Sequence, residues 1–156
     1  MTNERDGASV RLPPPLVYLA AVLVGGMLHG LAPLRLPLGS AARIGGAVLA
    51  LAIGAAFLAG ALGLFRRTGQ DPKPWVATPS IVSTGVYRVT RNPMYVGMAL
   101  VLAAIGIAWA NGWVLALLPI VLAIVYVSAI RHEEAYLERK FGAEYLAYKG
   151  SVRRWL

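Results

Sequence analysis

Two short polar segments stand out in an otherwise apolar chain, because their residue types could bind and orient a ligand. The first is Arg91–Gly97, which reads RNPMYVG, and the second is the carboxylate pair Glu133-Glu134. Pro93 suits the first turn of a helix and Asn92 is a good N-cap, so the first segment predicts a helix N-terminus. The free N–H groups of such a terminus, with Arg91 and Arg88 beside them, favour an anion such as a carboxylate or a phosphate. A helix cap flanked by anchoring arginines explains the same residues without a ligand.

The carboxylate pair needs partners because of its position on a helix. Glu133 is expected on the same helical face as Tyr126, Ile130 and Leu137. A carboxylate without a partner would be costly there. Adjacent helical residues point about 100° apart, so the two glutamates are expected to have different partners. Arg131 precedes Glu134 by three positions and is its predicted local ion-pair partner.

The composition indicates a membrane protein. Of the 156 residues, 58% are hydrophobic and 14% are charged, and the mean hydropathy is +0.62, whereas a soluble domain carries about a quarter charged residues. The chain has no cysteine, which excludes disulfide scaffolds and thiolate metal centres, and no metal site is predicted. The formal net charge of +8 would suit nucleic acid in a soluble protein. A cytoplasmic membrane face explains it better here, so membrane lipids and no nucleic acid are the expected partners.

Four apolar runs are candidates for membrane-spanning helices, since about 20 apolar residues cross a bilayer. They cover residues 16–34, 44–65, 94–110 and 113–130. Asn111 and Gly112 separate the last two runs and predict a tight turn, so these segments should form an antiparallel helical hairpin. The third run is short for a full span and could tilt or end inside the bilayer. The predicted fold is an all-α integral membrane protein with about four transmembrane helices.

The lysines and arginines predict the orientation of the chain. With four spans, the N-terminus, an irregular loop at residues 66–93 and a helical tail at residues 131–156 share one side. Arg5 and Arg11 at the N-terminus lie on this side, which holds every Lys and Arg except Arg35 and Arg43. Because cytoplasmic segments retain positive charge, we expect both termini in the cytoplasm and a single domain in the cytoplasmic membrane.

Small residues recur at four-residue spacing in the first two spans, as in Gly26–Gly30. Close helix packing is the favoured interpretation, and a dimer face is the alternative. His29 lies in this segment and is expected to be a hydrogen-bonded neutral side chain, with a functional titratable group as the alternative.

Several motifs together resemble a known family. In chain order they are Gly85–Arg88, Arg91–Gly97, Glu133-Glu134 and the aromatic and arginine-rich stretch Phe141–Trp155. Their order and spacing are similar to those of the isoprenylcysteine carboxyl methyltransferase and phospholipid methyltransferase superfamily, and the resemblance covers roughly residues 62–156. Members of that superfamily are integral membrane enzymes that move a methyl group from S-adenosyl-L-methionine to a lipophilic acceptor.

The resemblance implies the cofactor and the residues that bind it. S-adenosyl-L-methionine is the expected cofactor, and the acceptor is expected to be a lipophilic small molecule or a lipid. Matched residue by residue, the implied cofactor-binding residues are Arg91, Asn92, Tyr95, Gly97, Glu133 and Glu134. Arg91 and Glu133 are also the expected catalytic residues. Arg91 would orient an anionic group, and Glu133 would hold the cofactor or take a proton from an amine acceptor. The C-terminal tail is implied to fold over the site.

Three features depart from the family pattern. Asn92 stands where the eukaryotic carboxyl methyltransferases have His, which removes a titratable group and retains hydrogen bonding. Arg153 stands where the family often has Pro. The chain also lacks the extra N-terminal helices of the eukaryotic enzymes, so a prenylated protein is not assumed to be the substrate.

The expected activity is methyl transfer at the cytoplasmic membrane face, with carboxyl O-methylation first. The alternatives are a phospholipid-type N-methyltransferase, a non-catalytic membrane scaffold of the same fold, and a small transporter. Intact motifs argue against the scaffold, and the absence of paired interrupted helices argues against the transporter. No G-x-G-x-x-G motif follows a strand, which excludes a soluble methyltransferase of the Rossmann type.

Overall fold

The computed structural model describes Ala8, Val10 and residues 12–73 and 76–156. Within these ranges the chain forms six α-helices and no β-strand: α1 (Pro14–Leu31), α2 (Ser40–Thr68), α3 (Pro93–Ala108), α4 (Gly112–Val125), α5 (Arg131–Phe141) and α6 (Ala143–Ser151). A 3₁₀ turn (Gly85–Arg88) precedes α3, and a π-helical segment (Tyr126–Ile130) joins α4 to α5. Arg5 and Arg11 lie outside the described residues, so the side of the membrane on which the N-terminus lies stays a prediction.

In the described part of the chain, three helical segments are long and apolar enough to cross a membrane: Pro14–Leu31, Ser40–Thr68 and Gly112–Phe141. The fourth predicted span, α3, has 16 residues. At 1.5 Å per residue it is about 24 Å long, shorter than the roughly 30 Å hydrocarbon core of a bilayer. Large apolar side chains such as Leu23 and Leu49 are exposed on the outer faces of α1 and α2, where lipid would contact them. The prediction of an all-α integral membrane protein is confirmed.

The short helix α3 lies at the centre of the bundle and packs against α1, α2 and α4. It meets α2 where Gly97 faces Gly54, and a Cβ built on either glycine would lie 2.9 Å from the carbonyl oxygen of the other. The two backbones can therefore approach as closely as small residues permit. Around Gly26 and Gly30 of α1, in contrast, an added Cβ would meet no atom within 4 Å. Close helix packing is therefore present at Gly54 of α2, but among the described residues it is absent at Gly26 and Gly30 of α1, for which the sequence predicted it.

The predicted hairpin of α3 and α4 is present, and its turn is fastened to α1. Asn111 caps α4, since its Oδ1 accepts a hydrogen bond from the backbone N–H of Trp113 at 3.0 Å. Its Nδ2 donates to the carbonyl oxygen of Gly25 at 3.0 Å. Ala110, just before it, adopts the left-handed conformation with φ 48°. One buried amide thus fixes both the start of α4 and the position of the turn against α1.

The fourth helix continues into the tail, as predicted, by way of the π-helical segment. Gly142 ends α5 with φ 52°, a conformation that glycine adopts readily, and α6 follows at once. Beyond α6 the chain returns to the start of α3, where the backbone N–H of Arg91 donates to the carbonyl oxygen of Arg153 at 2.9 Å. The tail therefore encloses the end of the bundle at which α3 begins.

Candidate functional site

A cavity of about 330 Å³ lies at the end of the bundle where α3 begins. Its wall is built from the first turn of α1, the end of α2, the loop between α2 and α3, the first turns of α3, and residues of α5 and α6. The volume falls within the range of small-molecule sites. The fold brings five of the predicted site residues to this wall: Arg91, Asn92, Tyr95, Glu133 and Glu134.

Arg91 is buried and is only partly hydrogen-bonded. Its side chain is 8% exposed, and its Nη2 lies 3.3 Å from Oε1 of Glu134. Nε and Nη1 are buried and have no hydrogen-bond partner among the described residues. An unpaired buried donor costs about 1–3 kcal/mol, so two of them on one guanidinium call for a partner that the described residues do not supply. Because Arg91 lines the cavity, these donors indicate where an anionic group would bind.

Glu134 is held by two arginines from distant parts of the chain. Nε and Nη2 of Arg154 donate to its two carboxylate oxygens at 2.9 and 3.0 Å, a bidentate arrangement. Hydrogen bonding to Glu134 raises the pKa of Arg154, whose guanidinium also lies 4.9 Å from the ring centroid of Tyr126. These partners are not the local one expected for Glu134, Arg131. Sequence spacing predicts contacts between neighbours on the same helix. Arg91 and Arg154 are distant from Glu134 in the sequence, and the tertiary fold brings them into contact with its carboxylate.

Glu133 has the partner that its position on an apolar face required. The hydroxyl of Tyr95 donates a hydrogen bond to its Oε1. The backbone carbonyl of Tyr95 in turn accepts a hydrogen bond from the hydroxyl of Tyr18 at 2.9 Å. Tyr95 therefore links α1, α3 and α5 and holds the Glu133 carboxylate at the cavity wall.

Asn92 occupies the N-cap position of α3, as predicted, but its side chain does not cap the helix. Its Nδ2 donates to the carbonyl oxygen of Arg154 at 3.0 Å, and Oγ1 of Thr90 donates to the same oxygen at 2.8 Å. The expected capping role is wrong, because the returning tail engages the amide instead. Thr90 is completely buried and was not predicted from the sequence. Both residues fasten the tail over the cavity.

Gly97 is not among the residues that line the cavity. A Cβ at Gly97 would lie 2.7 Å from Cγ of Leu58 on α2, in addition to its close approach to Gly54. Gly97, which the resemblance implied to be a cofactor-binding residue, thus lies against a helix in this structure.

Tyrosines of the tail cover the cavity from the side of α6. The hydroxyl of Tyr148 donates to the carbonyl oxygen of Tyr87 at 2.7 Å. Burial raises the pKa of Tyr148 to about 12, and the nearby Arg91 opposes this shift. Burial also raises the pKa of Tyr87 and of Tyr145. These phenols are therefore protonated at neutral pH, and they act as hydrogen-bond donors and aromatic surfaces rather than as bases.

Comparison with known proteins identifies the family. Residues 41–144 match the model of the family described as phospholipid methyltransferase, a stretch that runs from the first turn of α2 to the start of α6. The chain belongs to the phospholipid methyltransferase family. The resemblance drawn from the motifs is confirmed, and the fold is that of a membrane methyltransferase family. The matched stretch includes every predicted site residue and ends before Arg153 and Arg154.

One relative in this comparison is an uncharacterized protein of Haemophilus influenzae. It is 43% identical over 65 residues, which are 40% of this chain and 100% of that protein. No solved structure matches the chain.

Phospholipid methyltransferases generally use S-adenosyl-L-methionine, and the residues of the cavity fit this group. The unpaired donors of Arg91 suit a carboxylate, and the carboxylate of Glu133 suits an ammonium. The aromatic rings of Tyr87 and Tyr148 offer faces for a sulfonium or an adenine.

Gln70 also lines the cavity and was not predicted as a site residue. It lies in the irregular loop that follows α2, where no periodic pattern shows which side chains point inward. Its glutamine side chain carries no charge, so neither composition nor charge patterning drew attention to it.

Proposed function

We propose that this protein transfers a methyl group from S-adenosyl-L-methionine to a lipophilic acceptor, a small molecule or a lipid that enters from the bilayer. The observation that supports this most is the buried guanidinium of Arg91 at the cavity wall, whose Nε and Nη1 have no partner in the described part of the chain. A carboxylate satisfies two such donors at once, and the cofactor carries one. The predicted orientation adds support, because it places this end of the bundle in the cytoplasm, where the cofactor is available.

The site residues divide into those that contact the cofactor and those that position them. Arg91 would bind the carboxylate, and Glu133 would bind the ammonium group. Tyr95 positions Glu133 through its hydrogen bond, and Glu134 positions Arg91 through the contact with Nη2. Asn92 acts on the site indirectly by holding the tail in place.

The chain contributes positioning and exclusion of water. When bound, S-adenosyl-L-methionine supplies a methyl group on an electrophilic sulfonium. The protein must hold the acceptor atom in line with that methyl group, and such positioning accounts for much of the rate in reactions of this kind. The side chains of Phe65, Met94 and Met98 line the cavity and keep water away from the reacting atoms.

The acceptor atom that we propose first is a carboxylate oxygen. At neutral pH this oxygen needs no base before it attacks, which agrees with the protonated state of the tail tyrosines. The second candidate is N-methylation of a phospholipid-type amine, which the family description favours. An amine acceptor must lose a proton, and Glu133 is the group that would accept it. The other carboxylates at the cavity wall are paired with cations, Glu134 with two arginines and Asp71 with Lys73.

One assay tests transfer and distinguishes the two acceptors. The detergent-solubilised protein is incubated with methyl-labelled S-adenosyl-L-methionine and a lipid extract of its host. We expect label in the organic phase with the wild type and much less with Arg91→Met. Mild base releases labelled methanol from a methyl ester and leaves an N-methyl group in place. Cofactor binding without any labelled lipid product would contradict methyl transfer and favour the scaffold.

Melting temperatures separate ligand binding from structural support at the carboxylate pair. We expect Glu133→Gln to melt near the wild type but to lose the upward shift that the cofactor induces. Glu134→Gln should melt at a lower temperature without cofactor, because two arginines lose their counter-charge. A full cofactor-induced shift in Glu133→Gln would contradict its assignment as a ligand residue.

A further inference from the structure

Gln70 combines burial with an unpaired polar atom at the cavity. It follows Gly69, the left-handed residue with φ 66° that ends α2, and its backbone N–H donates to the carbonyl oxygen of Phe65 at 2.9 Å. Its side chain Nε2 donates to Oγ of Ser80 at 2.9 Å. The residue is 7% exposed. The backbone and one end of the side chain are therefore fixed.

The other end of this amide has no partner. Oε1 of Gln70 is buried and accepts no hydrogen bond from the described residues. A buried amide oxygen without a donor costs about as much as a lost hydrogen bond. Since Gln70 lines the cavity, a bound ligand with an N–H or O–H group would remove this cost. The bond to Ser80 holds the amide ready for such a donor.

We propose that Oε1 of Gln70 accepts a hydrogen bond from the nucleoside half of the cofactor, an inference that rests on the proposed function. The carboxylate and the sulfonium of S-adenosyl-L-methionine offer no N–H or O–H donor. Its ammonium group is better matched by the carboxylate of Glu133 than by a neutral amide. The remaining donors are the ribose hydroxyls and the exocyclic amino group of adenine, which all belong to the nucleoside half.

The surroundings of Gln70 suit a nucleoside as well. Phe65, Ile81 and Val82 also line the cavity, so the amide shares the cavity wall with apolar side chains from the end of α2 and from the loop. A purine has apolar faces and polar edges. Apolar walls with a single fixed acceptor can bind such a group and set its orientation.

Calorimetric titration of the full-length protein in detergent tests this inference. The ligands are S-adenosyl-L-methionine and three analogues, which lack the 6-amino group, the 2′-hydroxyl or the 3′-hydroxyl. The wild type should bind at least one analogue about fivefold to tenfold more weakly, as expected for one lost hydrogen bond. Gln70→Met removes the acceptor and keeps an unbranched side chain. It should bind the cofactor and that analogue with nearly equal affinity.

Two further variants guard against indirect effects. Like Gln70→Met, Ser80→Ala removes the hydrogen bond between Gln70 and Ser80. It leaves the amide oxygen of Gln70 in place, so this variant should still bind the analogue more weakly than the cofactor. Gln70→Glu retains an acceptor oxygen and should discriminate as well, which keeps the test valid if Gln70→Met does not fold. Discrimination that persists in Gln70→Met, or that is absent from the wild type, would overturn the role of Gln70. Failure of the wild type to bind the cofactor at all would instead contradict the proposed function.

Discussion

Replacing Arg91 with methionine should weaken cofactor binding strongly while leaving the stability of the ligand-free protein nearly unchanged. The structure explains why the two properties separate. The variant loses one ion pair, in which Nη2 lies 3.3 Å from Glu134. It also loses two buried donors, Nε and Nη1, that have no partner among the described residues. The backbone hydrogen bond of residue 91 to Arg153 is unaffected.

The magnitudes follow from these contacts. A hydrogen bond to a charged group contributes about 1.5–3 kcal/mol, and each unpaired buried donor costs about 1–3 kcal/mol. At the lower ends of these ranges, removal of the two donors gains about 2 kcal/mol and loss of the ion pair costs about 1.5 kcal/mol, and Glu134 keeps its bidentate partner Arg154. We expect the free energy of unfolding to change by less than about 1 kcal/mol. Affinity for the cofactor should fall by roughly 1.5–3 kcal/mol, which is about 10-fold to 150-fold in Kd.

Two measurements on the same preparation check this reasoning. Calorimetric titration gives the affinity, and the melting temperature without cofactor gives the stability. Arg88→Met is the matched control, because Arg88 is an exposed arginine on the preceding 3₁₀ turn and should leave both values unchanged. Unchanged affinity in Arg91→Met would refute the anion-binding role. A large loss of stability with unchanged affinity would show that Arg91 is a structural ion-pair residue.

Three further predictions concern packing, capping and orientation. Gly97→Ala should lower stability by about 1–3 kcal/mol through overpacking against α2. Gly26→Ala is the control and should not change the melting temperature, because an added Cβ there meets nothing within 4 Å. Equal melting temperatures of the two variants would contradict the close helix contact. Asn111→Ala should cost roughly 2 kcal/mol in thermal or chemical unfolding, because it removes a helix cap and a buried hydrogen bond together. In this cysteine-free chain, an impermeant thiol reagent outside intact cells should label Leu38→Cys and not Gly150→Cys, and the reverse result would invert the predicted topology.

Local sequence signals predicted the element boundaries that depend on local physics. Asn92-Pro93 predicted the start of a helix, and α3 begins at Pro93. Asn111-Gly112 predicted the turn of the hairpin, and Asn111 caps α4. The helical face shared by Glu133 and Leu137 predicted that these side chains lie together, and both line the cavity. In each case the responsible contacts span only a few residues.

Local sequence signals did not predict the hydrogen-bond and ion-pair partners of the polar side chains. The spacing to Arg131 is visible along one helix, but Glu134 binds residues 43 positions before it and 20 positions after it. The amide of Asn92 is suited to capping, yet it binds a carbonyl 62 residues away. The π-helical segment changes the phase between α4 and α5, and nothing in its composition, YVSAI, marks the change. Tertiary competition for donors and acceptors decided these contacts.

The charge balance around Glu134 depends on Arg154, which lies outside the stretch that matches the family model. Within residues 41–144, Arg91 and Glu134 would form a neutral pair, with little charge left to attract an anion. Arg154 changes this balance because it takes both oxygens of Glu134, at 2.9 and 3.0 Å, whereas Arg91 keeps a single contact at 3.3 Å. Arg91, Glu134 and Arg154 together carry one positive charge. Among the described residues, the nitrogens of this cluster that remain without a hydrogen-bond partner are Nε and Nη1 of Arg91. The carbonyl oxygen of Arg154 also accepts hydrogen bonds from Thr90 and Asn92, so the residue that pairs with Glu134 is the same residue that fastens the tail to the start of α3.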